Sequence, residues 1–335
     1  MLKITNNLLF SKGRLKSNLS VARIALFIVV LPALFIMTSC NKDEAEKEEI
    51  ESVILDLVSG ISADSIELFI TTLQDMGTRF TFAENRREIA LSIWNKFISM
   101  GYENSRLDSF FLTRTFRNVV YSMWQYNVTA ILTGSQYPDS VCILGAHFDS
   151  YNGTGDPFSA APGAHDNASG VAATLEVARV MKKNGFAPKK SIMFITFGAE
   201  EMGLFGSYYF VSDPGEYNGK ISFMINNDMV AYEPSSNPES WQVNILDYQN
   251  SHGLRTYAEK VILTYSSMGY LNDNTFNRYS DSYPFSLAGY KAIFFTSVKT
   301  DPYYHSANDI ASNLNFEYCA EITKASCAIL AAKNR

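Results

Sequence analysis

Three stretches of the chain concentrate the residue types that bind metals and move protons. They read AHFDS (146–150), PGAHDNASG (162–170) and FGAEEMGLFGS (197–207), each beside an apolar run. Only four histidines occur in 335 residues, and His147 is one of them, two residues from Asp149. Further along, Asp228 closes MINND and His305 lies in YYHSANDI. His147 and His305 offer neutral nitrogen, while Asp166, Glu201 and Asp228 offer carboxylate oxygen. Five such donors exceed what one tetrahedral zinc with an open position takes. They suit two zinc ions sharing one carboxylate. Asp166 is the natural bridge, because it stands at a helix start in a loop with Pro162-Gly163 before it and Gly170 after it. On extended chain Asp149 points the same way as His147 and is expected to orient its imidazole. Adjacent residues seldom ligate one ion. One of Glu200 and Glu201 is therefore expected to bind metal while its neighbour takes a proton from water and returns it to a leaving amine. That is the chemistry of amide hydrolysis.

Plainer readings stand beside each of these. A lone His147 suits a turn, Asp166 could cap the following helix, and Glu200-Glu201 could be a solvated pair in a first helical turn. Asp228 suits a strand-end turn, and His252 reads as a surface or capping residue. Asp281 and Asp309 fit either a turn or a supporting role. What favours the site is where the surrounding elements would put the group.

Four short, nearly continuous apolar runs, Val141–Ala146, Ile192–Phe197, Ile221–Ile225 and Ala292–Ser297, read as strands buried on both faces of a mainly parallel sheet. Helical periodicity covers Ser65–Met76, Glu84–Met100, Ser169–Lys183, Ser251–Met268 and Phe316–Ala332. Asn167 or Ser169 can cap the third of these. Arg106–Leu112 and Asn118–Thr133 read as an outer strand pair. The fold class is α/β, a mostly parallel central sheet with helices on both faces. His147, Glu200-Glu201, Asp228 and His305 each follow one of the four buried strands, so all converge on the carboxyl edge where such sheets build sites. Loops around 232–250 and 270–285 are expected to shape the pocket.

AHFDS, PGAHDNASGVAATLEVAR, FGAEEMGLFGS, INNDM and YYHSANDI resemble, in order and spacing, the motifs of the M28 zinc peptidases, over roughly residues 60–332. The resemblance implies a zinc-exopeptidase sandwich of the phosphorylase/hydrolase-like type. It implies two zinc ions, with His147 and Asp228 on one, Glu201 and His305 on the other, Asp166 bridging and Glu200 as general base. Tyr304 occupies a position where some members use a tyrosine on the oxyanion. A cis peptide is implied between Asp166 and Asn167. His165 departs from the family pattern, which has Asp or Asn there, and could add an imidazole near the metals.

The first 39 residues carry Lys3, Lys12, Arg14, Lys16 and Arg23 with no acid, then an apolar run over 24–37. This is the layout of a secretory signal. Followed by Thr38-Ser39-Cys40, it resembles a bacterial lipoprotein leader, which implies lipidation at Cys40 and a place in the cell envelope. Fourteen apolar residues are short for a membrane span. The expected layout is a leader over 1–39, a lipidated Cys40 and acidic spacer over 40–58, and a peptidase domain over 59–335. Without the leader, 23 Lys+Arg face 34 Asp+Glu, a formal charge of −11 rather than −6. That balance argues against nucleic acid as a partner. Three remaining cysteines, Cys142, Cys319 and Cys327, form no disulfide framework and read as small core residues.

The expected function is a zinc-dependent exopeptidase, an aminopeptidase acting on peptides with a metal-activated water and Glu200 as base. Two alternatives remain on the same scaffold: a single-zinc acyltransferase of the glutaminyl cyclase kind, and a non-catalytic binding lipoprotein.

Overall fold

The structure is a computed structural model and describes residues 48–335. The basic leader, its apolar run and Cys40 lie outside the described residues. Among the described residues no helix is long and apolar enough to cross a membrane. Residues 52–335 form one compact unit. It opens in helix α1, which ends at residue 59 and buries Ile54, Leu57 and Val58. The unit therefore starts before the expected boundary at 59. An i, i+3, i+4 stripe gives the acidic segment an apolar face to bury.

Eight strands form one mixed sheet in the order β1-β2-β4-β3-β5-β8-β6-β7. Its centre is the parallel set β4 (Lys190–Phe197), β3 (Tyr137–His147), β5 (Ile221–Asn227) and β8 (Ala292–Ser297). These are the four apolar runs, and their residues are almost all buried because helices cover both faces. Val141 and Ile143 of β3 point to one face, packing with Ile195, Phe197, Phe210, Met224 and Phe285. Each such side chain contributes about 1.5–3 kcal/mol by leaving water. On the other face Phe194 meets the rings of Phe97 and Tyr102. Helices α2 (Ala63–Gln74), α4 (Ser169–Lys183), α6 (His252–Tyr265) and α8 (Phe316–Lys333) pack against one another, and α3 (Arg86–Ser99) lies beside β2. Cys142, Cys319 and Cys327 are free and buried, as small core residues.

The outer strand pair is β1 (Arg106–Phe116) with β2 (Val119–Leu132), antiparallel to each other and at the sheet edge. The stretches expected to be loops hold more structure than periodicity announced. Strand β6 (Gln242–Asp247), strand β7 (Gly269–Leu271) and helix α7 (Ser282–Leu287) fall there or beside them, and the short helix α5 (Phe205–Ser212) follows Glu200-Glu201. Each is too short to show a period. α5 has eight residues with no distinct apolar stripe, α7 contains Pro284, and β7 has three residues.

Candidate metal centre

The carboxyl ends of β4, β3, β5 and β8 lie side by side, and each hands one group to the same edge. His147 is the last residue of β3. Its Nδ1 lies 3.0 Å from the main-chain oxygen of Asp149. A carbonyl only accepts, so Nδ1 carries the proton and Nε2 faces the site. Nε2 is 3.3 Å from Asp166 Oδ1 and 3.4 Å from Asp228 Oδ1. The other oxygen of Asp166 faces His305, with Oδ2 3.1 Å from Nε2, and Glu201 Oε2 is 3.0 Å from that nitrogen. Two three-donor groups result, His147–Asp166–Asp228 and Asp166–Glu201–His305, with the donor atoms of each within 4.8 Å of one another. Asp166 belongs to both. Its two oxygens divide between the two imidazoles, as a bridging carboxylate requires. Asp228 Oδ1, Glu201 Oε1 and His305 Nε2 are buried without a hydrogen-bond partner. Buried acceptors that converge in this way are costly unless cations lie among them, so the donor set fits a pair of divalent metals of the zinc type.

Glu200 stands beside both groups and belongs to neither, with Oε2 3.9 Å from His147 Nε2. Burial, then the charges of Glu201, Asp281 and Asp228, raises its pKa well above the usual carboxylate value against the opposing pull of His147. Glu201 rises to about 8 for the same first reason, with Asp166 adding to it and His305 opposing. Both residues occupy a tight turn before α5 rather than a solvated helical turn. The carbonyl of Glu200 accepts from the N–H groups of Gly203 and Leu204, and Ala199 and Leu204 take positive φ.

Asp149 departs from its expected part. Its carboxylate Oδ1 is 3.6 Å from His147 Nδ1, beyond hydrogen-bond reach, and the imidazole is held by the Asp149 carbonyl instead. The carboxylate accepts from the backbone N–H groups of Glu200 at 3.0 Å and Glu201 at 3.3 Å, and from Thr81 Oγ1 at 2.6 Å. It positions the glutamate pair, so one residue ties the His147 loop to the Glu200 turn.

Asp166 sits in a kink before α4, and its peptide to Asn167 is cis. The N–H groups of His165 and Asp166 donate to the two oxygens of Asp309, at 2.6 and 3.0 Å. Asn167 accepts from Gly170 N–H at 2.9 Å and from Met229 N–H at 3.2 Å, while donating to the Asn227 carbonyl; the N-cap position of α4 itself is Ala168. Asn167 therefore grips the chain on both sides of Asp228. Ser169 bonds back to the His165 carbonyl and accepts from Val230 N–H. A Cβ on Gly170 would lie 2.1 Å from the Asn227 oxygen, so only glycine admits this approach. Ser280, itself held by Asn226, donates to Asp228 Oδ2.

Other residues resolve into supporting or unrelated places. His165 is fully buried, accepts from Ala231 N–H on Nδ1, and has its pKa pushed down to about 3 by burial; it belongs to neither donor group. Tyr304 lies at the mouth, half exposed, with its ring stacked on His305 at 3.8 Å between centroids. His252 is away from the centre, on α6, bonded to Asp247. Asp281 is buried near Glu200 and raised to about 7, first by burial.

Arg79, Thr81 and Ser280 had no signal in the sequence. The buried guanidinium of Arg79 donates to the carbonyls of Phe148 at 2.8 Å, Pro162 at 2.5 Å and Gly163 at 2.6 Å. It joins the residue after His147 to the loop that carries Asp166. Gly163 has φ +51°, and a Cβ there would meet Ser150 and the Asp166 carbonyl at 2.4 Å.

Comparison with known proteins gives the family and the fold. The model of peptidase family M28 matches residues 127–330. A probable aminopeptidase of Saccharomyces cerevisiae is 30% identical over 220 residues, covering 63% of this chain; the chain spans 58% of that relative's length. A probable leucine aminopeptidase of Arthroderma otae is 25% identical over 284 residues, covering 82% of this chain and 73% of its own. The crystal structure of LapB from Legionella pneumophila superposes with a TM-score of 0.71 at 23% identity, covering 85% of this chain and 75% of that one, a likeness of fold.

Proposed function

The chain belongs to peptidase family M28, and from that membership we propose that it is a zinc-dependent aminopeptidase removing N-terminal residues from peptides. The observation that carries the proposal is the pair of three-donor groups sharing Asp166, with Glu200 beside them and outside both. His147 and Asp228 would hold one zinc, Glu201 and His305 the other, with Asp166 between. When bound, zinc lowers the pKa of water and polarises a carbonyl. Glu200, buried and raised in pKa, takes a proton from water and returns it to the leaving amine. Asp149 keeps the Glu200 backbone fixed during that exchange through the bond to its N–H. Tyr304, at the mouth of the site, is assigned to the developing oxyanion. The two relatives named as aminopeptidases support the direction of attack from the amino end.

The test is Glu200→Gln in the zinc-loaded protein, assayed on a panel of aminoacyl and N-blocked peptidyl substrates. The expected result is a fall in kcat of at least about 10²-fold with zinc content unchanged, and no cleavage of blocked substrates. Wild-type turnover by the zinc-loaded variant would remove Glu200 from the mechanism. Preference for blocked substrates would replace the aminopeptidase assignment with another peptidase.

A further inference from the structure

At the edge of the sheet opposite the metal centre, three lysines meet. Lys190 opens β4, Lys291 stands one residue before β8, and Lys333 ends α8. All three line one cavity of about 560 Å³, with Ser222 and Phe223 of β5 and the first turn of α6 completing its wall. No carboxylate lines it. Among the described residues the Lys and Arg ion pairs involve other residues, such as Lys220 with Asp139 and Lys324 with Glu321. Three ammonium groups in one cavity with no ion pair to a described residue are unexpected on a chain with a net charge of −6.

The donors are poised rather than committed. Lys190 Nζ lies 3.5 Å from Ser222 Oγ, which is 2.9 Å from Ser140 Oγ. Lys333 Nζ sits 3.7 Å above the centre of the Tyr257 ring. The Asn250 amide is already spent on the carbonyls of Gly289 and Tyr290, so the free donors are the ammonium groups and a hydroxyl. Burial, then the charges of Lys291 and Lys190, holds the Lys333 ammonium below its ordinary pKa. The three lysines repel one another where they stand.

We propose that this cavity is a binding site for a phosphate-class dianion, inorganic phosphate or a small phosphomonoester. Two negative charges offset most of the repulsion among three ammonium groups, and several oxygens can accept from separate donors. A single carboxylate would leave two charges uncompensated. The bound anion would tie the starts of β4, β5 and β8 to α8. The site is about 25 Å from the metal centre, since eight residues of β4 at about 3.3 Å each lie between. It does not depend on the peptidase reading.

The test is calorimetric titration of the full, zinc-loaded chain with inorganic phosphate and with glycerol phosphate, at an ionic strength near 0.15 M where loose surface attraction is screened. Because phosphate oxygens also ligate zinc, each titration is repeated on metal-free protein. The expected result is one saturable site per chain that survives metal removal. It should be at least about tenfold weaker in the Lys291→Ala/Lys333→Ala double variant. Peptidase activity of that variant should equal wild type, and Lys291→Arg should keep the affinity, which separates lost charge from misfolding. Binding that disappears with the metal assigns phosphate to the zinc centre and overturns the proposal. So does binding equal in wild type and double variant, or no saturable binding at all.

Discussion

Arg79 is buried among carboxylates, yet its hydrogen bonds go to carbonyls of Phe148, Pro162 and Gly163. Burial first lowers its pKa to about 10, while Asp309, Asp149 and Asp166 draw it the other way. A planar fork can reach carbonyls on two loops at once, and an ammonium cannot. Arg79→Lys should therefore fold but let the His147 and Asp166 loops move apart. We expect zinc affinity to fall about 10–100-fold, read by competition with a chelator of known strength. Unchanged affinity in a folded variant would make Arg79 a packing residue only. Asp149 teaches a related lesson. Strand alternation correctly put its side chain on the side of His147, but whether a carboxylate or a carbonyl meets the imidazole depends on about half an ångström. Nothing in AHFDS carries that difference.

At the scale of elements, the strands that deliver the proposed ligands are the buried parallel ones, and the elements added beyond them, β6, β7 and α7, are short. Asp247, at the end of β6, shows how such an element is fastened. It accepts from His252 at 2.5 Å, Arg255 at 3.0 Å and Asn274 at 2.7 Å, joining the strand to α6 and to the loop after β7. Burial works to raise its pKa, but those hydrogen bonds outweigh it and bring it below the ordinary value. A carboxylate with a depressed folded pKa stabilises the fold above its unfolded pKa of about 3.9, and the contribution disappears as pH falls through the folded value. Asp247→Asn should be less stable than wild type at pH 7, and the gap should narrow in acid below about pH 4. Urea melts at both pH values check this; a gap that is constant with pH would mean the carboxylate charge contributes nothing.

At the scale of the whole molecule, metal and fold are coupled, because the five proposed ligands come from four strands and the α4 kink. Chelation should abolish peptidase activity and lower the melting temperature, and zinc should restore both. Two zinc ions per chain at saturation are expected by metal analysis. One zinc per chain, with cyclisation of N-terminal glutamine, would substitute the acyltransferase reading. Anchoring of this molecule is proposed from residues 1–40 alone. Cys40→Ser should move the protein from the membrane fraction to the soluble fraction of its host, followed by immunoblot. Equal membrane retention of the variant would reject a lipid on Cys40.

Much of this is legible in the sequence. The four apolar runs became the central strands, the 3.6-residue pattern of Ser169–Lys183 became α4 residue for residue, and the five donors met at one edge. Periodicity reports burial on one or two faces, and a strand order that is mainly parallel forces the carboxyl ends together, so ligand convergence follows from local pattern. Short elements such as β7 and α7 carry no period and stayed hidden. Only the tertiary structure decided that Asp166 turns one oxygen to each imidazole, that Asp149 serves the glutamates, and that Arg79, Ser280 and Asp309 hold the proposed ligands or the loops that carry them. It also brought Lys190, Lys291 and Lys333 together. Those choices rest on contacts between residues tens to hundreds of positions apart, settled by hydrogen-bond distances that a linear pattern does not encode.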